Sequence, residues 1–144
     1  MTVRVQRTFE FDAPGERVWE FISDPGKRAE AISVVERFEV GDDGRTATWH
    51  ISLPIPLINQ TAEVQTRDVT VEPPRYVMFV GKSSVMRVTG EHTIETVNDE
   101  QCRLKNEFIV DGRLPGVERF FKKNLDRELR NLEQALRRDL ELTA

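Results

Sequence analysis

Between Val34 and Val110 the sequence is almost continuously strand-like, and after it comes only one amphipathic stretch long enough to cover the sheet those strands must build. The strand segments are Val34 to Val40, Ala47 to Leu53, Ile58 to Val71, Tyr76 to Val80, Val88 to Val97 and Cys102 to Val110. A seventh precedes them, because Val3, Val5, Phe9 and Phe11 recur at alternate positions, with Arg7 placed on the same face. Short links with turn chemistry, among them Gly41-Asp42-Asp43-Gly44, Glu72-Pro73-Pro74-Arg75 and Asn98-Asp99-Glu100, join successive runs, which predicts antiparallel pairing. The run from Ile58 to Val71 changes phase near Asp68, where a bulge or bend is expected.

Helical signals lie at the two ends. Val18, Trp19, Phe21 and Ile22 suit a short helix with Pro14 near its first turn, and a second runs from Pro25 to about Ala31 with Asp24 able to cap it. After the breaker Asp111 to Gly116, the residues Val117, Phe121, Leu125, Leu129, Leu132, Leu136 and Leu140 recur at steps of three or four. The opposite face is basic, with Arg119, Lys122, Lys123, Arg127, Arg130, Arg137 and Arg138, and is read as solvated, since Asp126, Glu128, Glu133 and Asp139 supply local pairs.

A twisted seven-stranded sheet must cover one apolar face, and the last helix is the only element long enough to do it, so the sheet has to curl around that helix. One helix does not fill so wide a concavity, which predicts a ligand cavity between sheet and helix. The expected fold is therefore α+β: a seven-stranded antiparallel curved sheet wrapped around a long C-terminal helix, with two short helices after the first strand, as a single domain over residues 1–144.

Composition narrows the function. Hydrophobic residues are 38% and charged residues 32% of 144, and no apolar run reaches the roughly 18 residues of a spanning helix. A cytoplasmic location is the expectation. With Cys102, His50 and His92 as the only cysteine and histidines, an intrachain disulfide, a four-cysteine zinc site and a Rieske-type cluster are excluded by count. The net charge of −4 offers no global attraction for nucleic acid. No Gly-x-Ser-x-Gly and no phosphate-loop glycine pattern occurs, and Glu91, Glu95, Glu107 and His50 all fall on the outward parity.

The segment Phe9-Glu10-Phe11-Asp12-Ala13-Pro14, followed by Val18-Trp19-Glu20-Phe21-Ile22-Ser23-Asp24-Pro25, a hairpin series, Glu72-Pro73-Pro74-Arg75 before a strand and a leucine-rich closing helix, resembles the SRPBCC or START-like superfamily over essentially the whole chain. That resemblance implies the helix-grip fold of the birch-pollen allergen, polyketide cyclases, START lipid-transfer domains and the accessory protein of carbon-monoxide dehydrogenase. These families share an architecture and bind very different ligands.

Projecting the alternation onto the sheet places Trp49, Ile51, Gln60, Ala62, Val64, Met86, Val88, His92, Ile94, Leu104, Asn106, Phe108 and Val110 inward. Arg7, Gln60, His92 and Asn106 are polar members of apolar faces and need a partner from protein, water or ligand. Arg7 either enters the pocket or reaches solvent or a carboxylate from a strand end; His92 is a core group, a pocket hydrogen-bonder or a general acid or base. The candidate ligand-binding set is Arg7, Trp49, Gln60, Met86, His92, Asn106, Phe108 and Phe121, with no catalytic residue, metal ligand or cofactor assigned.

The apolar, proline-stiffened segment Leu53 to Ile58 is either an exposed patch for a protein partner or a packed hairpin corner, and Gly81-Lys82-Ser83-Ser84 is either a cavity rim or a plain turn. The first expectation for function is binding of a hydrophobic or amphipathic small molecule (lipid, isoprenoid or polyketide-like) for transport, storage or sensing, by a monomer or weak homodimer. The alternatives, which the resemblance implies, are an accessory or assembly protein of a larger enzyme, as for carbon-monoxide dehydrogenase, and a polyketide cyclase/dehydrase-type enzyme.

Overall fold

A computed structural model describes residues 2–55, 62–114 and 116–142. The strand β1 (Thr2–Phe11) is followed by helices α1 (Gly15–Ile22) and α2 (Pro25–Ala31). Then come β2 (Val35–Val40), β3 (Thr46–Ile51), β4 (Ala62–Glu72), β5 (Tyr76–Lys82), β6 (Met86–Asn98), β7 (Gln101–Gly112) and the closing helix α3 (Val117–Leu142). The strands form one antiparallel seven-stranded sheet in the order β1-β7-β6-β5-β4-β3-β2, so the first strand closes against the last and β1 and β2 form the edges.

Local chemistry accounts for the boundaries. Asp24 Oδ1 accepts from the amides of Gly26 at 2.8 Å and Lys27 at 3.3 Å, which caps α2 as expected. The turn between β5 and β6 is built by Ser83, whose Oγ accepts from the Val85 amide at 3.1 Å and the Met86 amide at 3.0 Å. The phase change in the fourth strand is real: the register against β5 shifts between Asp68 and Thr70, with Asp68 buried and Val69 turned out. In the apolar turn after β3, Leu53 and Ile55 are buried, and Ile55 lies where a side chain at Gly116 would sit; Gly116 has a φ of 94°, a conformation glycine adopts without strain.

The core lies between the concave face and α3. Val117, Phe121, Leu125, Leu129, Leu132 and Leu136 are all buried, as the helical stripe predicts. Two side chains depart from their expected faces. Glu128 does not belong to the solvated face of α3; it is 2% exposed, because the chain between α2 and β2 passes over it and supplies hydrogen-bond donors. His50 sits on the outward parity of β3 and is nonetheless buried, flanked by Glu39 at 2.9 Å and Glu63 at 3.8 Å on the adjacent strands.

Candidate functional site

The interior between sheet and helix is nearly filled. Among the described residues it leaves a narrow apolar space of about 20 Å³, lined by Trp49, Phe79, Met86, Phe108, Phe121 and Leu125 among others, with Ile32, Val34 and Glu128 also in the lining. That is room for about one water molecule, in a lining that offers water little to bond to.

Phe79 organises one wall. Its ring centroid is 5.6 Å from that of Trp49, 6.2 Å from His92 in a stacked arrangement and 6.2 Å from Phe108 edge-on, while the Arg28 guanidinium carbon lies 5.2 Å from it. Strands β3, β6 and β7 and helix α2 thus meet at one side chain of β5. Gly90 on β6 makes this possible, since a Cβ there would lie 2.7 Å from Phe79 Cζ and 2.9 Å from Phe108 Cε1. Gly90 is paired directly with Phe79 and Phe108 in the register.

His92 is completely buried, and its tautomer follows from its neighbours. Asn106 uses its amide nitrogen on the carbonyls of Arg7 and Leu104, both at 3.3 Å, which turns Oδ1 towards His92 Nδ1 at 2.8 Å. Nδ1 therefore donates, and Nε2 keeps a bare lone pair with no partner. Burial first, and the nearby Arg28 charge second, pull the imidazole down to about 3, so it is neutral at physiological pH.

Arg28 and Asp68 form an ion pair inside the protein, each almost wholly buried. Arg28 Nη1 also donates to the Ile22 carbonyl at 2.7 Å, leaving Nε without a partner. Burial pulls the guanidinium below its ordinary value and pushes the Asp68 carboxyl above its own, and in both their mutual attraction opposes the shift. Glu128 accepts from Ser33 N at 3.1 Å, Ser33 Oγ at 2.7 Å, Val34 N at 3.4 Å and Asn131 Nδ2 at 2.8 Å, which ties α3 to the start of β2.

Of the residues expected at the site, Trp49, Met86, Phe108 and Phe121 line the space, and His92 and Asn106 adjoin it behind Phe79 and Phe108. Arg7 lies elsewhere: half-exposed at the sheet edge, it pairs with Asp126 of α3 at 2.6 Å. Gln60 falls outside the described residues. Phe79, Arg28, Asp68 and Glu128 join the site without having been expected there. Phe79 was within reach, since Val77, Phe79 and Gly81 alternate on one face of β5; nothing in the seven-residue, largely polar α2 marks Arg28 as interior.

A curved antiparallel sheet gripping one long helix, with its polar groups buried beneath an apolar space, is the helix-grip, START-like architecture. The family model described as polyketide cyclase/dehydrase and lipid transport matches residues 2–137, and the chain belongs to that family. Among solved structures it resembles a conserved protein from Geobacillus kaustophilus, at 14% identity and a TM-score of 0.76, over 98% of this chain and 97% of that one. A START superfamily protein from Mycobacterium smegmatis matches at 16% identity and a TM-score of 0.74, over 98% and 99%. An aromatase/cyclase from a Streptomyces species matches at 18% identity and a TM-score of 0.70, over 96% of each chain. No curated protein matches the sequence. Among the described residues no helix is long and apolar enough to cross a membrane, and no three His, Cys, Asp or Glu side chains are grouped to hold a metal ion.

Proposed function

We propose that this chain, acting as a single domain over residues 1–144, binds a hydrophobic or amphipathic small molecule between the curved sheet and α3, in transport, storage or sensing. The observation that carries the reading is the apolar space that the described residues leave between the sheet and α3. The family's description, which includes lipid transport, supports it. Ligand sites ordinarily hold about 300 Å³ or more, so loading requires α3 or the wall at Phe79 to move outward from the closed state. Native mass spectrometry of freshly purified protein, followed by denaturing extraction, tests this: a stoichiometric apolar adduct is expected. A bare protein that gains no thermal stability from apolar probes would overturn it.

A second reading, proton-transfer catalysis of the cyclase/dehydrase kind, is favoured by the free lone pair on His92 Nε2. It ranks lower because an imidazole that protonates only at about 3 is a weak base at neutral pH. Turnover that disappears in His92→Ala while binding persists would establish it.

A further inference from the structure

Along the first half of α3 the acidic side chains do not neutralise the basic ones. Asp126 pairs with Arg7 at 2.6 Å and with Arg130 at 3.5 Å, Glu133 with Arg137 and Asp139 with Lys27, while Glu128 is buried. Arg119, Lys122, Lys123 and Arg127 are exposed and have no ion-pair partner among the described residues. Positions 119, 123 and 127 follow at four-residue steps with 122 beside them, so the four charges share one face. Like charges so spaced destabilise a helix, and cations near its N-terminus oppose its dipole. The stability of α3 therefore gives no reason for them.

The same end of the molecule carries further cations. Lys82 and Arg87 flank the turn between β5 and β6, and Arg113 stands on the link to α3; all three are exposed and without an ion pair among the described residues. These segments touch, because the Arg113 amide donates to the Val85 carbonyl at 2.8 Å and a Cβ at Gly112 would lie 2.9 Å from the Glu118 amide. Asp111, bonded to Thr2, and Glu118 are the acids of these segments. The opposite end of the sheet, where the β2–β3 and β6–β7 turns lie, holds exposed Asp42, Asp43, Asp99 and Glu100. The basic end is also where the apolar space lies: Met86 opens β6, Val110 is near the end of β7 and Phe121 belongs to the first turns of α3. Leu114 and Phe120, half-buried, stand on the same segments as the cations.

We propose that this basic rim is a docking surface for an anionic lipid membrane, and that it sets the apolar space against the bilayer from which an apolar ligand comes. The net charge of the chain is −4, so the attraction belongs to this end alone and orients the molecule. A bilayer suits the rim better than an acidic protein does. Exposed Lys and Arg spread over three segments meet dispersed headgroup anions without needing one fixed acceptor each, and Leu114 and Phe120 supply apolar surface for the interface. The choice of a lipid surface rests on the proposed binding of an apolar ligand.

The test is co-sedimentation of the full chain with vesicles of phosphatidylcholine alone and with vesicles in which part of it is replaced by phosphatidylglycerol. Binding is expected to the anionic vesicles only, and to vanish at about 1 M salt, where charges are screened within about 3 Å. Lys122→Gln with Lys123→Gln should weaken it about thirtyfold, at about fivefold for each cation. Arg45→Gln with Arg75→Gln makes the same charge change at the acidic end and should alter it less than about twofold. All four side chains are exposed, so the variants should unfold at the wild-type temperature. No binding, equal binding to both kinds of vesicle, or equal loss in the two double variants overturns the proposal. Capture by polyglutamate without vesicle binding overturns it in favour of an acidic protein partner. The ligand reading is decided separately by native mass spectrometry: an apolar adduct without vesicle binding sinks the docking surface alone, and vesicle binding without an adduct sinks the ligand alone.

Discussion

The Arg28 guanidinium and the Asp68 carboxylate meet inside the core, one from a short helix and the other from the bulge in β4, and together they hold α2 against the sheet. Breaking such a pair from one side strands a buried charge, so Arg28→Met or Asp68→Leu alone should cost about 3 to 5 kcal/mol. The double variant should recover most of that loss. Chemical denaturation of the three variants checks this; a double variant as unstable as the sum of the singles would show that the pair is not a unit.

His92 makes stability depend on pH in a predictable direction. Its folded value lies near 3 against an ordinary 6.5, so its contribution is fully present above pH 6.5 and is lost as pH falls towards 3, at about 1.4 kcal/mol per unit. Between pH 7 and about pH 4.5 the wild type should therefore lose about 2 to 3 kcal/mol more than His92→Leu, which has no group to titrate there. Urea midpoints at the two pH values measure the difference, and parallel losses would contradict a buried neutral imidazole.

Glu128 secures the passage from α2 to β2 through the amides of Ser33 and Val34. Glu128→Leu leaves both amides without their acceptor and should cost about 2 kcal/mol. Hydrogen exchange is the more specific readout: protection at Ser33 and Val34 should fall well before that of β6 and β7.

Gly90→Ala places a methyl group against Phe79 and Phe108, and overpacking of this kind costs about 1 to 3 kcal/mol. Phe79→Leu introduced with it should relieve part of the loss. Thermal unfolding of the single and double variants tests whether Gly90 is the floor on which Phe79 rests.

Tyr76 is the single tyrosine, so alkaline absorbance reads it alone. Burial foremost, then its hydrogen bond to Glu91 and that residue's charge, push the phenol from 10.0 up to about 12. Glu91→Gln should bring the midpoint back towards 10; an unchanged midpoint would show that Glu91 is not responsible.

The element order, the antiparallel pairing, the capped α2, the bulge near Asp68 and the buried stripe of α3 were all legible in the sequence, because each depends on periodicity or turn chemistry within a few residues. The inward parity of Trp49, Met86, His92, Asn106 and Phe108 was legible for the same reason. Parity does not tell how deep a position lies, which is why Arg7 on an edge strand reaches Asp126 instead of the interior, and why outward-facing His50 is covered. Tertiary structure alone decided the rest. Arg28 and Asp68 are 40 positions apart and Glu128 and Ser33 are 95 apart, so no local pattern marks them as partners. Their burial exists only once the sheet has curled around α3, when each charge loses water and must find its counterpart across the core.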